Sequence, residues 1–491
     1  MAEAECSRPG RRSGSSRYWL LLLTVSMGTV LAPINSTMLA VALPDIRESF
    51  SLSHAELGWL ISAYLIAMAV SQPIAGRVSD QLGRARVFRV GLVAFLLFSL
   101  AAALSPNFWL LITFRTGQAM VGAAVIPTGM AMIRESVPVT RLAQSNGMTG
   151  SLISLAAAGG PLLGAAMLAL GSWRLLFLVN VPIVVVALFL QWRLQYPSQR
   201  GEMGPVRGLL DWPGALLMVA TLIFLTQLLN SVRGGDTVGL IVGAVGLVVA
   251  GAAFGWRQRR ATLPVAGWSL FRVKSYRAAT THVMLTNLVM YTTLLSIPFF
   301  IRELQEKGAG TVGILLGAMS ILMAILAPFS GRLADTYGRR MLTLSGSCVS
   351  FAAILLILVG LDEDVSTAYL ALALAMVGMG VGLGMGAALT AAIESAPIEH
   401  AGSAAGTNSM MRYLGSIVGA GVLAGVLNTS GAAPEIEVFR AIFIIVAVVA
   451  AVSILAASQI HRFPPEVVRE VPRPAEERGT GLEPSPEAGT L

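Results

Sequence analysis

Apolar residues in this chain come in long unbroken runs, and polar residues are confined to the short intervals between them. Such runs recur near 18–43, 57–78, 87–104, 108–132, 146–168, 175–195, 213–231, 238–256, 278–300, 309–330, 342–360, 367–392, 409–427 and 437–459. They are continuous rather than alternating, which argues against strands with one polar face. Each approaches the ~20 residues that a helix needs to cross a bilayer. Lipid offers the backbone no hydrogen-bond partners, so only helices or closed barrels can span it. The pattern therefore predicts an all-α membrane protein with 14 transmembrane helices.

Composition strengthens this reading. Of 491 residues, 55% are hydrophobic and only 12% charged, against roughly 25% charged in soluble domains. The mean hydropathy of +0.74 is more than a water-soluble core could hide. A net charge of +8 does not point to nucleic acid, because the basic residues lie in short clusters between apolar runs. Cys6 and Cys348 cannot build a disulfide framework. The first run is too long for a signal-peptide core and reads as a retained anchor.

Charge also orients the chain. With the N-terminus in the cytoplasm, most of the 34 Lys and Arg fall on the cytoplasmic side. The interval 257–277 carries Arg257, Arg259, Arg260, Arg272, Lys274 and Arg277, whereas the opposite-side interval 362–364 is Asp-Glu-Asp. Both termini are expected in the cytoplasm and the protein in the plasma membrane. The tail 461–491, rich in Pro, Glu and Arg, reads as disordered.

One charged phrase occurs twice. Residues 76–86 read GRVSDQLGRAR and residues 331–341 read GRLADTYGRRM. Each follows the second helix of a six-helix block, as an internal duplication would leave it. The expected organisation is a cytoplasmic tail (1–17), a six-helix bundle (18–195), two inserted helices with a basic linker (196–277), a second, pseudo-symmetric six-helix bundle (278–460) and the tail (461–491). Gly76 and Gly331 allow a neighbouring helix to approach. Asp80 and Asp335 need a partner at the membrane edge, and a helix N-terminus of the opposite bundle is one source of positive charge. Gly83 and Gly338 fit a tight turn. Arg77, Arg84, Arg86, Arg332, Arg339 and Arg340 complete two basic clusters, and those after the turn glycines can pair with the aspartates. The expectation is a latch between bundles on the cytoplasmic face; the plainer alternative is a topological anchor of solvated charges.

These phrases resemble the loop signature of the major facilitator superfamily, and the fourteen-helix layout is similar to its drug:proton antiporter branch. INSTMLAVALP (34–44), WLISAYLIAMAVSQPIAGR (59–77), GGPLLG (159–164), WRLLFLVNVP (173–182) and AGSAAGTNSMMRYLGSIVG (401–419) resemble signatures of that branch. The resemblance covers about residues 18–460. It implies alternating access by two bundles, a small amphipathic substrate, a proton as coupling ion and a monomer in the lipid bilayer.

Several interior residues stand out. The resembling phrase usually carries an aspartate where this chain has Asn35, an amide that cannot titrate. Asn35 is expected roughly 12 Å below the outer end of its helix at 1.5 Å per residue, as a cavity-lining hydrogen bonder or a packing amide. Arg115 should lie at comparable depth, where a guanidinium must face a cavity or a partner. With Gln118 it matches the family's R-x-x-Q. Gly160, Pro161 and Gly164 should bend the fifth helix. Trp59 and Tyr64, with Met68 and Met290, could line an adaptable apolar cavity. His282 reads as a boundary residue, and Arg412 as a headgroup anchor or a partner of Glu394. The alternate glycines of GMGVGLGMG (378–386) read as helix-packing positions. No Asp or Glu falls deep in a helix, so the cavity should favour neutral or anionic substrates over cations. Hydrolase, metalloprotease and nucleotide-binding motifs are absent from the sequence, as are clustered ligands among its four His and two Cys; neither an enzyme nor a cofactor is expected. A transporter-like receptor or scaffold is the alternative function.

Overall fold

The computed structural model describes residues 11–194, 211–232, 236–261, 268–396, 401–427 and 435–461. The expected tail beyond His461, most of the linker at 196–210 and part of the turn at 233–236 lie outside the described residues. So do the side chains of Arg77 and Asp80. Among the described residues every regular element is a helix: α1 (Arg11–Thr29), α2 (Leu31–Phe50), α3 (His54–Leu82), α4 (Arg84–Ala103), α5 (Phe108–Ser136), α6 (Val139–Ala169), α7 (Leu175–Leu178), α8 (Asn180–Leu194), α9 (Trp212–Ser231), α10 (Thr237–Arg260), α11 (Lys274–Phe299), α12 (Ala309–Tyr337), α13 (Arg339–Val359), α14 (Thr367–Glu394), α15 (Ala401–Leu427) and α16 (Ile436–Ser458). Thirteen spans are long and apolar enough to cross a membrane, counting α1–α2 and α7–α8 as one span each. The fourteenth candidate is α6, with a shorter apolar stretch at Leu155–Ala169.

The first crossing is longer than the apolar run that predicts it. α1 runs into α2 through Val30, whose N–H still reaches the Ser26 carbonyl at 3.1 Å. α2 then continues past the apolar residues to Phe50. It stops at Ser51, in the left-handed region (φ 52°), whose N–H reaches the Glu48 carbonyl at 3.2 Å. Two residues later Ser53 and Glu56 cap α3 reciprocally: the Glu56 N–H donates to Ser53 Oγ at 3.2 Å, and the Ser53 N–H to Glu56 Oε2 at 2.8 Å. The cap chemistry therefore carries the charged residues 45–48 on the helix, beyond the apolar run. A similar extension ends α11, where Pro298 removes one backbone bond and a π-turn at Phe300–Leu304 follows.

Helix pairing repeats. In the first half α3 packs on α5, α4 on α5, α2 on α6, α1 on α8 and α4 on α8. The second half repeats each pairing with the equivalent helices: α12 on α14, α13 on α14, α11 on α15, α11 on α16 and α13 on α16. The halves meet through α6 with α12 and α15 with α3, two contacts that exchange under the same pseudo-twofold. α9 lies against both α3 and α15, while α10 packs almost wholly on α9. Its remaining surface (Val238, Ile241, Val245, Val248, Val249) is exposed, as a lipid-facing helix requires.

The alternate glycines of α14 have a direct use. Gly378 and Gly382 lie against the backbone of α12 at Met319 and Met323, while Gly380 and Gly384 lie against α13 at Gly346. In lipid there is little hydrophobic drive between helices, so this close approach supplies packing instead. A Cβ at Gly378 would overlap the Met319 carbonyl. Gly378→Leu should therefore cost about 1–3 kcal/mol of overpacking, read as a lower thermal midpoint of the detergent-solubilised protein, whereas Leu372→Ala on the exposed face of the same helix should leave the midpoint nearly unchanged.

Candidate functional site

The two copies of the repeated phrase adopt the same local structure. α3 and α4 meet at Gly83 (φ 88°), and α12 and α13 at Gly338 (φ 93°). A side chain at that φ is strained, which explains both glycines. Each is followed by an arginine that reaches the last turn of its own bundle's fourth helix. Arg84 Nη1 lies 2.9 Å from Glu135 Oε1 and donates to the Ala131 carbonyl at 3.0 Å. Arg339 binds Glu394 through two bonds, Nη2 to Oε1 at 2.9 Å and Nε to Oε2 at 3.1 Å, and donates to the Ala334 carbonyl at 2.8 Å. A glutamate is disfavoured at a helix C-terminus, and the arginine compensates it. Asp335, with a side chain 68% exposed, pairs with Arg339 of its own bundle at 2.6 Å. A Cβ at Gly331 would meet nothing within 4 Å, so no neighbouring helix uses this glycine for close approach here, and Arg86, Arg332 and Arg340 are exposed. Among the described residues the second copy makes its ion pairs within its bundle, not across to the other.

Among the described residues, the ion pairs that cross between bundles lie at the opposite face. Arg47 of α2 pairs with Glu303 of the π-turn after α11, and Arg302 Nη2 lies 3.2 Å from Asp45 Oδ1. Two opposite charges from each half thus cross over. Asp45 Oδ2 and Glu303 Oε2 are buried without a hydrogen-bond partner. His54 Nε2 is 3.8 Å from Glu303 Oε2. Burial, and then the Arg47 charge, push the His54 imidazole down to about 4, so at neutral pH that contact is not an ion pair. Sequence reasoning missed this clasp. Its signal was present in the two opposite-charge pairs at the ends of the first and ninth apolar runs.

Between the faces lies a pocket lined by Ser36, Leu39, Ala40, Ile61, Tyr64, Leu65, Arg115, Tyr291 and Leu295. It draws residues from both bundles. Arg115 is 1% exposed. Its guanidinium stacks 4.2 Å from the Tyr64 ring centroid and 5.6 Å from that of Phe177. Nη1 donates to Gln118 Oε1 at 2.9 Å, while Nε has no acceptor. Behind it runs a chain of amides and one hydroxyl. Gln118 donates to Ser99 Oγ at 2.6 Å, Asn180 to Ser99 Oγ at 3.3 Å, and Asn35 to Asn180 Oδ1 at 2.6 Å, with Asn180 returning a bond at 3.2 Å. Among the described residues no carboxylate lies within ion-pair distance of Arg115.

The structure brings Asn35, Arg115 and Gln118 into one network and places Tyr64 against it, where the Tyr64 hydroxyl also donates to the Ala32 carbonyl at 3.0 Å. Asn35 faces Asn180, and its neighbour Ser36 lines the pocket. Trp59 is half-buried and is not among the lining residues. Gly160 and Gly164 lie against α2: a Cβ at Gly160 would meet the Thr37 hydroxyl and one at Gly164 the Met38 carbonyl. Pro161 sits between them inside α6, which stays helical through it. His282 is no boundary residue. It is 1% exposed, its Nδ1–H donating to the Ser453 carbonyl at 3.3 Å and Nε2 lying 3.2 Å from Thr286 Oγ1. Arg412 does not pair with Glu394, whose oxygens bind Arg339. Asn180, Ser99, Tyr291 and Tyr413 were not singled out from sequence.

Comparison with known proteins agrees with this architecture. The sequence model described as Major Facilitator Superfamily matches residues 25–420. YvkA of Bacillus subtilis (strain 168), named an uncharacterized MFS-type transporter, is 31% identical over 83% of this chain and 90% of its own. The multidrug resistance protein Stp of Mycobacterium tuberculosis is 30% identical over 83% of this chain and 75% of its own. The tetracenomycin C resistance and export protein of Streptomyces glaucescens is 28% identical over 84% and 76%. The chain belongs to the major facilitator superfamily, a transporter family and not an enzyme family.

The crossed ion pairs yield a prediction. At partial exposure each contributes about 1 kcal/mol or less, and about 2 kcal/mol together would shift a two-state equilibrium roughly thirtyfold. Arg302→Asp should place like charges opposite Asp45 and open that face. Maleimide labelling of Ser36→Cys from that side should rise severalfold, and adding Asp45→Arg should return it toward the starting level.

Proposed function

We propose that the protein is a secondary exporter that moves amphipathic small molecules, neutral or anionic, out of the cell by alternating access and is driven by the proton gradient. The face carrying the two repeated phrases is cytoplasmic in this reading, because most of the Lys and Arg between helices lie there. The protein is a plasma-membrane protein with both termini on that side. The observation that carries the substrate reading is Arg115: a guanidinium buried beside a pocket, with no carboxylate partner among the described residues. Burying a charge costs several kcal/mol unless something answers it. Here the surrounding rings and amides answer part, and a substrate's acceptor answers the rest. The names of two relatives, a multidrug resistance protein and a tetracenomycin C resistance and export protein, support the direction of transport.

The two charge clusters fit the two end states of such a cycle. With the Asp45–Arg302 and Arg47–Glu303 pairs made, the outer face is held closed. When they part, the proposed latch at Gly76, Arg77, Asp80, Gly83, Arg84 and their second-half counterparts closes the inner face. Gly83 and Gly338 fix the turns, Arg84 and Arg339 brace each bundle, and in this reading Asp80 and Asp335 change partners between the end states. Gly160, Pro161 and Gly164 seat α6 on α2 and keep the pocket sealed while the bundles rock.

Efflux from proteoliposomes with an imposed proton gradient tests this. Neutral and anionic amphiphiles should be transported at least tenfold faster than a permanent cation of similar size, and collapse of the gradient should abolish the difference from empty vesicles. Arg115→Gln should lower anion transport tenfold or more, and Asp80→Asn should lower transport of every substrate. Transport of cations alone would contradict the substrate reading, and absence of any efflux would contradict the exporter.

A further inference from the structure

Resting on the reading that puts the crossed ion pairs on the outer face, we propose that this clasp holds a proton-binding site, His54, and that a proton taken there from the outer solution parts the bundles. His54 is the first residue of α3, directly after the capping Ser53. Its side chain is only 11% exposed, and part of what encloses it belongs to the other bundle. The imidazole meets the Phe299 ring of α11 edge-on, with centroids 5.5 Å apart, and Nε2 lies 3.8 Å from Glu303 Oε2. An imidazole of the first half is thus sealed by the second half. Separating the halves at this face gives it water.

The charges around His54 leave no place for another cation. Asp45, Arg47 and Glu48 come from α2, Glu56 from its own helix, and Arg302 and Glu303 from the π-turn after α11. Arg47 is matched by Glu303 and Arg302 by Asp45. Glu56 is engaged by the Ser53 N–H, and Glu48 is exposed. A protonated imidazole adds one positive charge to this balanced set, at a helix N-terminus whose dipole is also positive. Glu303 Oε2 faces it and has no hydrogen-bond partner, but Arg47 already holds that carboxylate. An imidazolium that turns to Glu303 competes with Arg47 and loosens the clasp. Burial and the Arg47 charge hold the enclosed imidazole down to about 4, whereas in water it titrates near about 6.5. The proton therefore binds the open form more tightly than the closed one, and acid favours opening. The effect begins below about pH 6.5 and is complete near about pH 4. Under an inward proton gradient the face so opened is the one turned to the acidic side.

Distances between two spin labels on the purified full-length protein in detergent test the site without requiring transport. Labels at Leu104→Cys, after α4, and Asp364→Cys, before α14, stand at exposed positions of the two bundles on this face, in a protein also carrying Cys6→Ser and Cys348→Ser. Double electron–electron resonance then reads the open and closed populations. Their ratio should rise about tenfold between about pH 8 and about pH 5.5. His54→Gln should abolish that rise and stay closed. Glu48→Gln, which alters an exposed carboxylate of the same face, should respond like the unaltered protein. Should His54→Gln fail to give a monodisperse protein, His54→Asn takes its place. Absence of an acid rise in the unaltered protein overturns the proposal whatever the variants do. A rise that survives in His54→Gln, or one lost in Glu48→Gln, assigns the proton to a carboxylate and overturns it too. Acid opening without proton-driven efflux in proteoliposomes would leave the site standing and remove the exporter reading; efflux without acid opening would do the reverse.

Discussion

Hydrocarbon does not solvate charge, so every ionised group within the slab must be answered by the protein or by what the protein binds. Arg115 makes that constraint visible. Its guanidinium is enclosed by the Tyr64 and Phe177 rings and one amide, and the amide chain behind it runs through Ser99 and Asn180 to Asn35. Four helices are tied together by that chain. The amides of Gln118, Asn180 and Asn35 and the Ser99 hydroxyl do not ionise near neutral pH, so the chain is a scaffold of dipoles.

The remaining charges obey the same constraint at the two faces, where water is near and ion pairs can form and break. On one face Arg84–Glu135 and Arg339–Glu394 close within their bundles and tie the start of α4 to the end of α5 and the start of α13 to the end of α14. On the other face Asp45–Arg302 and Arg47–Glu303 close between bundles. Rigid bodies joined by separable contacts are what a rocking motion needs. Glycine serves the same division: Gly378, Gly380, Gly382 and Gly384 bind helices tightly inside the second bundle.

Much of this was legible before any coordinates. Continuous apolar runs could only be spanning helices, and the repeated G-R-x-x-D-x-x-G-R phrase marked the duplication. Gly83 and Gly338 stand at positive φ, a constraint that the turn sets locally. Arg115 and Gln118, which match the R-x-x-Q of the resembling family, bond to each other three residues apart on one helix. What misled was distance in sequence. Arg339 chose Glu394 on another helix, so Glu394 was not available to Arg412. His282, near the end of its apolar run, proved buried because α11 begins at Lys274 and Ser453 and Thr286 enclose it.

The sequence by itself determined the solvent, the helix count within one, the duplication and the local turns, because those follow from hydropathy and from backbone conformations that neighbouring residues impose. Only the tertiary structure decided which charges meet. Asp45 and Arg302 stand 257 positions apart, and Asn35 and Asn180 stand 145 apart. A single charged or amide side chain in an apolar run carries no mark of its partner. Partnership is set by which helix faces pack together, and that is a property of the assembled bundles.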